Sequence, residues 1–486
     1  MDDSRTERVG QDLGVLPPRV APRAIRWLAL LAMVGCAVGL ARVGVYRISK
    51  MHPDFEYFYK AGACLLTHGT LDPGYDVING QVEHRGKLPW YWPCVSRFMT
   101  LLAWLPYRPA GYVWVALNTL ALLATVRLVG RHLTGLPPQD WPVTQLVPLA
   151  VLVVYWHWEF RLNQINNFTL LLLVFSFVCW QRGRALSSGF WLGLAVLLKL
   201  TPGLMVVWFI LKRQYRVVAA AVVTVVLAGP VSDAVALGPE RAVASYRVWL
   251  RDAVVDGSHR GLVLAQREVD WRNQAVGAVL SRWLHPTSYS THFDNDPRHQ
   301  ARDGETTVRM MNVVSLSRST VARIVLAVEA LIALGLLWLA RRPARRLTTW
   351  QLRFEWSLFL LGMLLLMPVM RRYHMIWALP ALTMLGAGVH YSGMRSAWSK
   401  LALACIGAVV VAEFALLARS LEAAGSILVS VVLLVVPLAF MLMRLERAPT
   451  TLPEPYHGPP HGARLERGDV PRREGVARGL VADART

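Results

Sequence analysis

The sequence predicts an all-α, polytopic membrane protein, and three observations carry that reading. The chain of 486 residues is 54% hydrophobic and only 17% charged, where soluble chains carry about a quarter charged residues. Its apolar residues gather in long blocks, many near the roughly 20 residues that cross a hydrocarbon core. Between the blocks, short loops carry an excess of Arg and Lys, as cytoplasmic loops do against anionic lipid. A net charge of +21 spread in that way is a topology signal and excludes a nucleic-acid partner.

The N-terminal segment 1–24 is mostly polar and too long for the n-region of a cleavable signal, so it reads as a cytoplasmic tail. Apolar blocks follow at 25–45, 110–129, 142–158, 163–180, 188–199, 201–211, 217–237, 319–340, 351–370, 374–391, 400–418 and 425–443. Together they predict a bundle of about 10–13 transmembrane helices over residues 25–443. The blocks 188–199 and 201–211 are short and read as a pair broken around Lys199 and Pro202; segment 94–107 suits a helix lying in the interface. Two long loops, 46–109 and 238–318, are rich in Trp, Tyr, His and Asp. The Pro- and Gly-rich segment 444–486 has little to bury and reads as a disordered cytoplasmic tail.

Basic residues set the orientation. Arg5, Arg8, Arg19, Arg23 and Arg26 place the N-terminus in the cytoplasm, together with the basic loops 181–184, 212–216 and 341–346 and the stretch holding Arg395 and Lys400. Arg42, Arg47 and Lys50 argue the other way and are outweighed. The chain is then a multi-pass plasma-membrane protein with both termini inside and the two long loops outside. Cys36, Cys179 and Cys405 fall in apolar blocks as small core residues, while Cys64 and Cys94 share the first long loop, where one disulfide is an option.

Under that topology one set of polar residues falls on the outer face. Asp54 follows the first span among Phe55, Tyr57, Phe58 and Tyr59; Asn163 and Gln164 open the fourth; Lys199 ends the fifth; Asn273 and Gln274 lie in the second long loop; Arg371, Arg372, Tyr373 and His374 separate two apolar runs. Charges at membrane depth cost several kcal/mol unless paired or wet, which makes them functional candidates. Each also has a bland reading. Arg371 and Arg372 suit interfacial anchors, Lys199 a snorkelling side chain, Asn163 and Gln164 caps or inter-helix bonds, and Asp54 a loop carboxylate. Glu56 reads as solvated or paired with Lys60. Their common face favours a site.

The runs "DFEYFYKAGACLLTHGTLDPGYD" and "WYWPCVSRFMTLLAWLPYRPAGYVWVALN", followed in order by "NQINNFTLLLL", "LLKLTPGLMVVWFIL", "RNQAVGAVL" and "RRYHMIWALPAL", resemble the polyprenol-phosphate-dependent GT-C glycosyltransferases of family 87. That family includes bacterial mannosyltransferases of phosphatidylinositol mannoside synthesis. The chain departs from the family's frequent patterns at Trp92-Pro93-Cys94 and Arg372-Tyr373-His374. The resemblance implies a cell-envelope enzyme moving a mannose-like hexose, with inversion, from a polyprenyl-phosphate sugar to a lipid or glycan acceptor. An inverting transfer needs one carboxylate to take the acceptor proton, and Asp54 stands where the family carries its first-loop Asp. Arg371, Arg372, His374 and Lys199 suit the leaving phosphate. Asn163, Gln164, Asn273 and Gln274 suit sugar hydroxyls, being donors and acceptors at once, with Tyr59 and Tyr373 beside them.

Asp294-x-Asp296 has the spacing of a metal-holding pair in nucleotide-sugar transferases, but no βαβ pattern or Gly-rich loop accompanies it. With Pro297 next it reads as a turn, so neither metal nor cofactor is expected. Two other classes compete. A transporter or flippase of a lipid-linked or polar substrate should show repeats and midplane polar groups, and a scaffold would not need this ordered series.

Overall fold

The structure, a computed structural model, describes residues 21–50, 54–69, 75–78, 81–84, 91–251, 271–287, 289, 310–392, 394, 396–414, 416 and 418–447. Asp294, Asp296 and most of the expected tails at 1–24 and 444–486 lie outside the described residues. The principal helices are α1 (Arg23–Lys50), α2 (Phe55–His68), α3 (Pro93–Ala103), α4 (Tyr107–His132), α5 (Leu146–Leu162), α6 (Asn166–Gln181), α7 (Ala185–Leu198) and α8 (Gly203–Leu211). They continue with α9 (Tyr215–Val226), α10 (Pro239–Trp249), α11 (Val276–Leu284), α12 (Arg318–Leu339), α13 (Thr349–Leu366), α14 (Leu379–Ser392), α15 (Ala397–Phe414) and α16 (Ser426–Arg447). A small hairpin pairs β1 (Tyr75–Ile78) antiparallel to β2 (Gln81–His84). The protein is an all-α polytopic membrane protein in its architecture.

Six of the described helices are long and apolar enough to cross a bilayer, or seven if the bent pair α5–α6 counts as one crossing. The remaining apolar blocks fold as shorter pieces, and the breaks have local causes. Between α5 and α6 the chain turns through 119°, with Asn163 at φ 51°, a left-handed conformation that Asn tolerates better than apolar residues. Between α7 and α8, Pro202 supplies no N–H to continue a helix from Lys199. The block expected at 374–391 starts as a 3₁₀ turn, Arg372–Ala378, before α14. Pro230 lies in a π turn, Leu227–Val231, at the end of α9.

α13 and α14 form the centre, each buried over most of its length. α12 stands at the periphery, with 17% of its apolar window buried. Lipid gives no hydrophobic drive between helices, so close approach does the packing. Gly189 and Gly193, four apart on α7, lie so near α9 that a Cβ on Gly189 would sit 2.3 Å from the Val217 carbonyl oxygen. Phe177 stacks on Trp356 with ring centroids 4.4 Å apart, tying α6 to α13.

The polar groups collect at two ends. At one, Arg26 faces Asp140 at 3.8 Å. Arg182 meets His132 at 3.3 Å. Lys212 donates to the carbonyls of Ala340 and Arg342 and pairs with buried Glu355. The basic loops 181–184, 212–216 and 341–346 are therefore tied down by their own charges at helix ends. Arg47 lies 21 residues beyond Arg26 on α1, about 30 Å at the helical rise, close to one hydrocarbon thickness.

Candidate active site

Asp54 sits at the N-cap position of α2, half-buried. Of the aromatic residues after it, Phe55 and Phe58 turn inward: Phe55 packs on Trp114 at 5.5 Å and Phe58 edge-on to Tyr91 at 4.9 Å. Gln164, at the tip of the α5–α6 bend, donates its amide to Asp54 Oδ2. Tyr91 in turn donates its hydroxyl to Gln164 Oε1 at 3.3 Å. Burial pushes the Tyr91 phenol well above 10, with Tyr373, Asp54 and Glu159 adding to it, so the hydroxyl keeps its proton. The tip is fixed by its main chain, because Trp114 Nε1 donates to Asn163 O at 2.9 Å and Asn118 Nδ2 to Gln164 O at 3.1 Å.

Beneath the tip lies a second tier. Glu159, fully buried on α5, accepts from the main-chain N–H groups of Asn166 and Asn167 at 2.8 and 3.2 Å and from Asn166 Nδ2 at 2.9 Å. A carboxylate satisfies the exposed N–H groups and the positive end of α6 in one stroke. Asn166 Oδ1 then accepts from Lys199 Nζ at 2.7 Å. Lys199 Nζ also lies 2.6 Å from His374 Nε2, and His374 Nδ1 accepts from the Arg371 N–H at 2.9 Å. Asp54 and Glu159 are both within electrostatic reach of Lys199. Asp54, Gln164, Lys199 and His374, far apart in sequence, thus share one rim.

The structure gives the other expected site residues different work. Asn163 spends its amide on Gly44 O at 3.2 Å, tying α5 to α1. Asn273 accepts from Met370 N and Ala275 N and donates to Pro368 O. Gln274 donates to Trp271 O and Glu422 O. Both are fully buried, and these bonds hold the 367–374 turn. Arg372 is paired with buried Glu422 and packed on Trp158 and Trp271. Tyr59 donates to Leu105 O and packs on Tyr107, fastening α2. Tyr373 remains at the rim, edge-on to His374 and 5.9 Å from Lys199. Arg371 is half-buried, its charge acting on His374.

Glu56 pairs with Lys60 at 2.7 Å, as the sequence suggested. Cys64 and Cys94 are both buried. Among the described residues no three His, Cys, Asp or Glu side chains group so as to hold a metal ion. Sequence reasoning missed Glu159, Asn166, Asn167 and Asn118. An ionisable residue inside an apolar block was the available signal for Glu159.

A polytopic helical protein with a carboxylate, an amide and a Lys–His pair gathered at one end of its spans has the layout of a membrane-embedded enzyme. The chain belongs to Glycosyltransferase family 87, whose profile matches residues 90–368, more than half of its length. Asp54 and His374 lie outside that match. The chain is 26% identical over 242 residues to the polyprenol-phosphate-mannose-dependent alpha-(1-2)-phosphatidylinositol mannoside mannosyltransferase of Mycobacterium tuberculosis, covering 46% of this chain and 53% of that protein. It is also 26% identical over 162 residues to the alpha-(1->3)-arabinofuranosyltransferase of that organism, covering 32% of this chain and 36% of the relative. The chain thus spans about half, or about a third, of the curated relatives it matches. No solved structure matches it.

Proposed function

We propose that the protein transfers a mannose-like hexose from a polyprenyl-phosphate donor to a lipid or glycan acceptor, with inversion, on the extracytoplasmic side of the plasma membrane. The observation that carries this reading is the shared rim: a carboxylate oriented by Gln164 stands with a Lys–His pair at the same end of the bundle. The name of one relative, which depends on polyprenol-phosphate mannose, supports the donor class. The name of the other supports a pentose, so the hexose is the finer part of the proposal.

Asp54 takes the proton of the acceptor hydroxyl as that oxygen attacks the anomeric carbon. The bond from that carbon to the phosphate oxygen breaks on the opposite face, and the lipid phosphate leaves with the electron pair. Its charge is met by Lys199, His374 and Arg371, groups already in place before reaction. The Phe55, Phe58, Tyr91 and Trp114 wall keeps water, the competing acceptor, from the sugar. Both termini and the basic loops are assigned to the cytoplasm by the positive-inside rule; no metal takes part in this scheme.

Purified protein should transfer radiolabel from polyprenyl-phosphate mannose to a lipid or glycan acceptor and not from a nucleotide-linked mannose. Transfer from the nucleotide sugar alone would refute the donor class.

A further inference from the structure

The contacts of His374 leave one place for its ring proton. Nδ1 accepts the Arg371 main-chain N–H at 2.9 Å, so it presents a lone pair and carries no hydrogen. A neutral imidazole then has its hydrogen on Nε2, and Nε2 lies 2.6 Å from Lys199 Nζ. An imidazolium would set an N–H against the Arg371 N–H. An ammonium at Lys199 is donor only, so it would meet the Nε2–H donor to donor. The contact closes when Lys199 is a neutral amine that accepts from His374. Lys199 in turn donates to Asn166 Oδ1 at 2.7 Å. That amide is fixed in its orientation, because its Nδ2 donates to Glu159 at 2.9 Å.

We propose that Lys199 is a neutral amine in the free protein and takes up one proton from solvent when the donor's phosphate arrives, so that donor binding is proton-linked. The groups facing it set a close balance. Asp54 of α2 and Glu159 of α5 favour the ammonium, but Glu159 already has three N–H groups upon it. Arg371 and His374 belong to the turn on the other side, with the rings of Tyr373 and Trp377 at 5.9 and 5.4 Å. A phosphate adds a further negative charge and tips the balance, because a buried anion needs a cation beside it. Once protonated, Lys199 no longer accepts from His374. The Nε2–H is released, and both groups donate to the phosphate oxygens. Lys199 is then the cation that the transfer step needs. The linkage rests on the reading that a lipid phosphate binds at Lys199 and His374; the neutral amine of the free protein does not.

The charge of the free amine is read first, by carbon NMR of the full chain labelled with [ε-13C]lysine, with Lys199 assigned through Lys199→Arg. At about pH 8, well below the ordinary lysine value of about 10.4, its ε-carbon should show the shift of a neutral amine. An ammonium shift there overturns the proposal. Calorimetry with polyprenyl-phosphate mannose, without acceptor and in two buffers of different ionisation heat, then counts protons. Wild type should take up close to one proton per donor at that pH. Because the proton is held only in the complex, affinity should fall about tenfold per pH unit above the titration of the free amine. Lys199→Arg is always charged and should bind donor with no proton uptake and no such fall. Donor binding by wild type without uptake overturns the proposal, and so does undiminished uptake by Lys199→Arg, which would put the proton on another group. Should Lys199→Arg fail to fold, Lys199→Met serves the assignment and the wild-type proton count decides. Absence of any donor binding strikes the donor class, and the linkage with it, while the spectrum of the free protein still fixes the charge of Lys199.

Discussion

Lys199 is held by three kinds of contact: an amide oxygen from Asn166, the ring nitrogen of His374, and the face of Trp377 at 5.4 Å. A cation held this firmly needs no rearrangement when a leaving phosphate gains charge. Lys199→Met should therefore raise the barrier by about 2–4 kcal/mol, the scale for losing one transition-state partner, and steady-state kcat in detergent measures it. Unchanged kcat would move the phosphate site to Arg371. Tyr91→Phe should lower turnover modestly. Because its phenol titrates well above 10, the size of that loss should stay constant at every pH below about 10; a loss that vanishes as pH rises would contradict it. Asp54, Gln164, Lys199 and His374 were legible in the sequence because each is a polar residue at the end of an apolar block. Glu159 was not singled out, because its partners, Asn166 and Asn167, come near only when the chain bends back at Asn163.

At the scale of elements, several polar residues that suit a sugar or phosphate site in sequence make contacts that hold a turn. The 367–374 turn crosses the bundle without regular main-chain bonding, so its groups are satisfied by side chains: Asn273 from one segment, Arg372 with Glu422 from another. Asn273 and Gln274 share the residue types of a sugar site, and no sequence pattern separates an amide aimed at a ligand from one aimed at a buried main chain. Removing one partner of a buried ion pair costs about 3–5 kcal/mol. Glu422→Ala should lose stability on that scale in a denaturation series while activity per folded molecule persists. Lost activity at unchanged stability would return Arg372 to the reaction. The α5–α6 bend was read as two spans, since a gap of a few polar residues looks alike whether the chain crosses or turns back.

For the whole molecule, two polar ends separated by about one hydrocarbon thickness imply two sides. The helical class, the apolar blocks and the basic loops were all readable from composition and spacing; the unequal helix lengths were not, being set by Pro202, Pro230 and the Asn163 turn. In a variant lacking native cysteines, Thr67→Cys should react with an impermeant thiol reagent in intact cells and Arg345→Cys should not; the reverse pattern would invert the topology. The proposed chemistry turns on Asp54. Asp54→Asn keeps size and hydrogen bonding towards Gln164 but removes the basic oxygen, so it separates a base from a structural carboxylate. The most direct measurement is single-turnover transfer from polyprenyl-phosphate mannose by wild type and Asp54→Asn, with thermal unfolding on the same preparations. The variant should remain folded and still bind donor, with transfer slowed about 10²–10⁴-fold. A folded Asp54→Asn protein that transfers at near wild-type rate would contradict the assignment of Asp54 as the base.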